Sequence, residues 1–421
     1  MELGVQYGSG TVSSPYLKGA HVLKRMDGDT SQIDPFELYQ NLFEEAYGIE
    51  ALKDLASEKV NIGIILNDRN RPTPSHLVIK HLIGVEGMRD RIKKVHIATG
   101  THKEPTETDI RTILGEYYEA LWKKVHVHVA KDREGHVPYG VTRMGTELFF
   151  DRELEGHDLY IFVNSVEPHY FAGFTGGRKS IIPGMAYFGT TEKNHSHSLS
   201  EGSRALGLEG NPVHEDMEDG ARIFLEGKEH LSIQIVQAPG KVITDLKVGD
   251  LFTSFSRAVE SAKTRFCIPV KKLYDIVVTV AREPMDRTLY QAQKAIENGK
   301  LALKDGGVLV LVSECSEGIG QSTFWDLLTM SSDPDEVLRR IDEGYVLGYH
   351  KAAKIVQLSK KATIMAVSSI DPGELRRGFI EGYSDLDRAL ERAIEITGSD
   401  PDILLIPDGT VTVPLLKEEH I

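Results

Sequence analysis

The chain has 421 residues, 40% of them hydrophobic, a length and apolar content that fit a globular protein of two or three domains. Its 63 acidic against 49 basic side chains give a net charge of −14, which argues against a general nucleic-acid binder with a basic surface. Cys267 and Cys315 are too few and too far apart for a disulfide framework, the first residues lack a basic-then-apolar signal, and no apolar run is long enough to span a bilayer, so we expect a cytoplasmic protein with no membrane partner.

Residues up to about 27 alternate short β-type segments with glycine turns. Residues 35–56 predict a helix, with Phe36, Tyr39, Leu42, Phe43 and Ala46 at helical spacing. Residues 59–66 predict a strand that ends in the polar loop 67–74, which holds Asp68 and Arg71; a helix over about 75–84 follows. Residues 94–98 predict a second strand, ending in Thr99-Gly100-Thr101-His102, with a helix over about 106–114. Residues 125–129 and 159–163 predict two more strands. In a parallel sheet the loops carrying Asp68/Arg71, Thr101/His102 and the segment after residue 163 would share one edge, where open α/β sheets bind ligands. Residues 207–227 read as loop and helix, 231–251 as β-rich around a Pro239-Gly240 turn, and 254–266 as helix. A new βα series then starts: strands at 274–281, 307–313, 361–368 and 403–406, helices at 288–302 and 385–396. The pattern predicts an α/β protein of two Rossmann-like α/β domains, residues 1–268 and 269–407, with the tail 408–421 free to return to the first. Neither domain has a G-x-G-x-x-G turn after a strand, so dinucleotide binding by that route is not expected.

Residues 164–198 concentrate the chemistry. They hold His169, Gly173, Gly176, Gly177, Arg178, Lys179, Pro183-Gly184, His195 and His197. Histidines move protons near neutrality and bind borderline metals, and a lysine with a lowered pKa is a nucleophile. A P-loop is a poor match, because Arg178 stands where its last glycine must bend around a phosphate. His195 and His197 could face one metal only if that segment is extended. Asp68 and Arg71 are close enough to pair with each other, or Arg71 could hold a carboxylate bidentately. Arg287, Tyr290, Gln291 and Lys294 open a helix, a position suited to an anion.

These pieces, in order, are Asp68-x-x-Arg71-Pro72-x-Pro74, Thr99-Gly100-Thr101-His102, Glu167-Pro168-His169-Tyr170-Phe171-Ala172-Gly173, Gly176-Gly177-Arg178-Lys179, Pro183-Gly184, Asn194-His195 and Tyr290-Gln291-x-x-Lys294. Together they span most of the chain, and they resemble the lactate racemase family, whose members carry a nickel-pincer nucleotide. The resemblance implies two α/β domains with the active site in the cleft between them. It implies racemisation or epimerisation of a 2-hydroxy acid, lactate or a related 2-hydroxycarboxylate, by hydride transfer through a 2-keto acid. Lys179 would bind the nucleotide's pyridinium ring covalently through a thioamide, with Gly176, Gly177 and Arg178 beside it. His195 would complete the nickel coordination, and His102 and His169 would be the proton-transfer pair. Asp68, Arg71, Tyr290, Gln291 and Lys294 would line the substrate, and separate maturation enzymes would load the cofactor. Two other readings remain open: a cofactor-free metal-dependent hydrolase built on His169, His195 and His197, and a non-catalytic ligand-binding sensor.

Overall fold

The structure, a computed structural model, describes residues 3–23, 34–57, 60–71, 73–238 and 242–416. They divide into two compact units, Asp27–Lys263 and Met1–Met26 with Thr264–Ile421. Pro72, the Pro239-Gly240 turn and residues 417–421 of the tail lie outside the described residues.

In the Asp27–Lys263 unit, near-continuous apolar runs form the strands Ile62–Asn67 and Leu159–Ser165, as expected where helices cover both faces of a parallel sheet, and Ile92–Ala98 adds a third with Ile92, Val95 and Ile97 buried. The six-stranded sheet runs Ile243–Gly249, Glu229–Gln237, Leu159–Ser165, Ile62–Asn67, Ile92–Ala98, Val125–Val127. Only the Ile243–Gly249 edge strand is antiparallel to its neighbour. From Ile62–Asn67 the chain winds outward through Ile92–Ala98 to Val125–Val127, then returns to place Leu159–Ser165 on the other side. The two central strands therefore flank a topological switch point, and their C-terminal ends open onto one crevice. The loop after Ile92–Ala98 lies on the same edge, so the three polar loops do share it. An antiparallel hairpin, His136–Val141 with Glu147–Asp151, packs its Leu148 and Phe150 into an apolar cluster with Ile181, Ile182 and Met185.

The predicted helix over 35–56 is two helices, Pro35–Ala46 and Ile49–Ser57. Asp34 caps the first through Phe36 and Glu37 N–H groups, and Gly48 breaks the run at φ +90°, a left-handed conformation that suits glycine.

The other unit has a six-stranded, all-parallel sheet: Glu381–Tyr383, Thr363–Val367, Leu303–Val312, Tyr274–Val280, Ile403–Ile406, His21–Val22. This corrects the division expected from sequence. The first 26 residues belong here, because His21–Val22 pairs with Leu404–Leu405 and Val5 and Leu17 enter the same core. The tail belongs here too, since Val413–Leu416 pairs with Cys267–Val270. Edge strands this short carry almost no periodic signal, so backbone pairing across the chain decides them.

Candidate active site

Three loops at the switch point carry the chemistry. In the first, Asp68 is buried and accepts from His102 Nδ1–H at 2.8 Å and from Asn70 Nδ2 at 2.8 Å. Burial works against its charge, but His102, the Asn70 amide and the Arg71 cation outweigh burial and hold its carboxyl below the usual range. The carboxylate fixes the His102 proton on Nδ1 and leaves the lone pair on Nε2, the arrangement of an oriented base. Asp68, expected among the substrate contacts, has its carboxylate engaged with His102. It does not form its side-chain ion pair with Arg71: Arg71 Nε stands 3.8 Å from Glu167 Oε1, and its Nη1 donates to Asn70 O.

The second loop is anchored from behind. Thr99 Oγ1 donates to His128 O at 2.7 Å, and Gly100 N donates to Gly184 O at 3.0 Å. Gly184 N in turn donates to Lys179 O at 3.0 Å. Two backbone bonds thereby couple the His102 loop to the Lys179 turn.

The third loop follows Leu159–Ser165. A two-residue ladder pairs His169 with Gly173 and Pro168 with Phe174. His169 is buried, and its Nδ1 accepts from Ala172 N–H at 3.3 Å, so the neutral ring carries its proton on Nε2. His102 and His169 are therefore set in opposite tautomers. The Phe171 ring is the hub of this loop. Its centroid lies 4.5 Å from the His169 ring and 5.1 Å from the His195 ring, with Lys179 Nζ 5.7 Å away.

The Gly177–Ser180 turn presents Lys179. Burial lowers the Lys179 amine well below the usual lysine value, and the cations Arg178 and Arg71 lower it further. Its charged form is disfavoured, which favours the nucleophilic free amine. The neighbours expected to touch a cofactor also pack tightly against the protein. A Cβ at Gly176 would stand 2.7 Å from Val166 Cγ2, and one at Gly177 2.8 Å from Phe255 Cγ, so both glycines serve close packing. Arg178 is buried and donates to the carbonyls of Ala172, Phe174 and Gly176. Burial pushes its guanidinium down to about 9, against the pull of Glu218. It holds the shape of the loop that presents Lys179.

His195 sits on the Phe188–Ser196 helix. Its Nδ1–H donates to Asn194 Oδ1 at 3.2 Å, and Asn194 Nδ2 donates to Asp216 Oδ2 at 2.8 Å. Asp216 also accepts from Thr146 Oγ1 at 2.9 Å and from Thr142 Oγ1 at 2.5 Å. The lone pair is left on Nε2, and an oriented ring of this kind is the usual form of a metal-binding histidine. Burial lowers the His195 pKa well below the ordinary value, and the Lys179 and His102 charges add to this against the Thr191 carbonyl. The ring stays neutral, as a ligand must. Because the segment is helical, His197 points elsewhere, 3.9 Å from Asp216 Oδ2, and does not join His195 at one metal. That removes the donor set of the hydrolase reading.

Asp68, Arg71, His102, His169, Lys179 and His195 therefore belong to one unit and one sheet edge. The first model of comparison, the lactate racemase N-terminal domain, matches residues 7–207, and the lactate racemase C-terminal domain matches residues 270–413. The chain belongs to the lactate racemase family. Family members are isomerases, and nickel is the metal the family implies. A lactate racemase from Thermoanaerobacterium thermosaccharolyticum is 29% identical over 399 residues, 90% of each chain. One from Lactiplantibacillus plantarum is 28% identical over 384 residues, 89% of each. The structure of the lactate racemase apoprotein from Thermoanaerobacterium thermosaccharolyticum superposes with a TM-score of 0.87 at 26% identity, covering 99% of this chain and 100% of that one. A crystal structure of a Thermotoga maritima protein, 17% identical, shares the fold with a TM-score of 0.70 over 87% of this chain.

Tyr290, Gln291 and Lys294 lie in the other unit, on the Leu289–Gly299 helix capped by Thr288. Lys351 Nζ sits 3.9 Å over the Tyr290 ring and Lys294 Nζ 3.2 Å from Met285 Sδ. Sequence reasoning gave no role to Glu167, Asn194 or Asp216. Asn194 was visible beside His195, but Asp216 is 21 residues on, with nothing local to mark it.

Proposed function

We propose that this racemase-family chain interconverts the enantiomers or epimers of a 2-hydroxy acid, lactate or a related 2-hydroxycarboxylate, with a nickel-pincer nucleotide bound covalently at Lys179. The observation that carries this reading is the pairing around Phe171 of a buried Lys179 amine, whose charged form is disfavoured, with the oriented His195 ring. The residues fit the group: an uncharged amine can form a thioamide, and an imidazole lone pair suits nickel alongside soft donors. When bound, the cofactor would supply a reversible hydride acceptor, which avoids a carbanion next to the carboxylate.

The chain's own residues would do the rest. Arg71, a cation in the site with Glu167 at 3.8 Å, would hold the substrate carboxylate. His102, exposed at the loop tip, would take the hydroxyl proton on Nε2, while Asp68 stabilises the resulting imidazolium. His169 would present its N–H to the hydroxyl oxygen from its own side. To act as base for the opposite enantiomer, its ring must release Ala172 N–H and move its proton to Nδ1. Tyr290, Gln291 and Lys294 would complete substrate binding, and maturation enzymes would supply the nucleotide.

The test is intact mass and nickel content of the chain co-produced with the family's maturation enzymes and nickel. A nucleotide-sized adduct on the Lys179 peptide, with nickel and with loss of optical activity of a 2-hydroxy acid, is the expected result. No adduct, beside a loaded control racemase, would sink the reading and favour a ligand-binding sensor.

A further inference from the structure

A second cluster of ligand-type side chains stands apart from these residues. His128 follows the Val125–Val127 strand, and His136 and Asp151 face each other as register partners at the open end of the hairpin. All three are buried, and one ligand atom from each lies within 4.8 Å of the other two. Nothing local in the sequence groups these three residues, which come from separate segments.

The hydrogen bonds in this cluster do not close on the protein alone. His128 Nε2 is 3.1 Å from Ala186 O, and its Nδ1 is 3.1 Å from Asp151 Oδ2. Both partners can only accept, yet a neutral imidazole has one N–H. His136 has its Nδ1 2.5 Å from Asp132 O, which requires N–H there and leaves a lone pair on Nε2. That Nε2 is buried and has no hydrogen-bond partner among the described residues. A buried lone pair and a carboxylate left facing each other are costly.

We propose that His128 Nδ1, His136 Nε2 and Asp151 Oδ2 bind a divalent first-row transition ion, zinc for the test, as a structural site distinct from the nickel centre. With the ion in place, His128 keeps its N–H on Ala186 O and His136 keeps its own on Asp132 O. Each ligand then has the backbone carbonyl partner typical of metal-bound histidine. Two imidazoles and a carboxylate suit zinc, with water in a fourth position. His126 Nε2, 2.7 Å from Asp151 Oδ2, orients the carboxylate. The ion would tie the hairpin to two segments that build the active site. His128 O receives Thr99 Oγ1 of the His102 loop, and Ala186 leads into the helix that carries His195.

The experiment uses the full chain made without maturation enzymes, stripped by a chelator and titrated with Zn²⁺ against a chromophoric competitor. One tight equivalent is expected in the wild type, retained in Lys179→Ala and His195→Ala, and lost in His136→Ala and Asp151→Asn. Co²⁺ in the wild-type chain adds a readout free of any folding defect: visible d–d bands of a four-coordinate N/O site, bleached by one equivalent of Zn²⁺. A stripped wild-type chain that takes up no equivalent, or an ion kept by His136→Ala and lost from His195→Ala, overturns the proposal.

Discussion

Lys179 shows how a site residue works against the fold that holds it. Burial and two cations disfavour the charged form of its amine, so the group is better accommodated in the unfolded chain, where it protonates freely. Lys179→Met should therefore abolish the covalent adduct and turnover while raising apoprotein stability at pH 7 by about 1 kcal/mol, on the order of 2–4 °C in melting temperature. Differential scanning calorimetry of the two apoproteins checks this, and an unchanged or lower melting temperature would contradict it. Asp68 carries a separate expectation. Asp68→Asn replaces a carboxylate that fixes the His102 tautomer by an amide that can present either N–H or C=O. Turnover should fall about 10²–10⁴-fold with nickel and adduct retained. Because mirror-image substrates have an equilibrium constant of one, kcat/KM must fall equally for both enantiomers. A loss of adduct together with activity would mean that Asp68 shapes the loop and does not orient a base.

Among elements, the Phe188–Ser196 helix depends on an outer layer of hydrogen bonds. Asp216 on the Pro212–Leu225 helix holds Asn194, and Asn194 holds the His195 ring. Asn194→Ala removes one hydrogen-bond partner of the ring without touching any metal-ligand atom. Nickel affinity of the loaded protein should drop about 10–100-fold while the Lys179 adduct persists, a split that metal analysis and intact mass read separately. Equal loss of both would place the defect in the helix itself. The Gly177–Ser180 turn was legible as a loop bearing a reactive lysine, since glycines and a cation pair in one stretch are a local signal. That Gly177 faces inward was not legible, because its partners Phe255 and Gln234 come from elements more than fifty residues away.

The whole molecule should lose stability in mild acid. Burial lowers the pKa of His81, His96, His157 and His214, and the His157 charge adds to this at His96. Their folded values lie below the ordinary histidine value near 6.5, so below that pH the unfolded chain binds more protons than the folded one. Stability thus falls as pH drops from about 7 toward 5, with a slope of up to about 1.4 kcal/mol per pH unit for each histidine. Urea unfolding at pH 7.5 and 5.5 measures it, and equal midpoints would contradict it. At the same scale, among the described residues no helix is long and apolar enough to cross a membrane.

The α/β class, the parallel strands at residues 62–67, 92–98 and 159–165, and the shared edge of their loops followed from sequence alone, because apolar runs, glycine turns and strand–helix alternation are local. The candidate site residues were proposed from motifs in fixed order, which is also a property of the chain read along its length. Tertiary structure decided what depends on contacts between distant segments. It moved the first 26 residues into the other sheet, turned Asp68 toward His102, supplied Asp216 behind His195, and gathered His128, His136 and Asp151 into one buried group. In each case the deciding energy is a hydrogen bond or a burial between groups that are remote along the chain, and no window of sequence contains both partners.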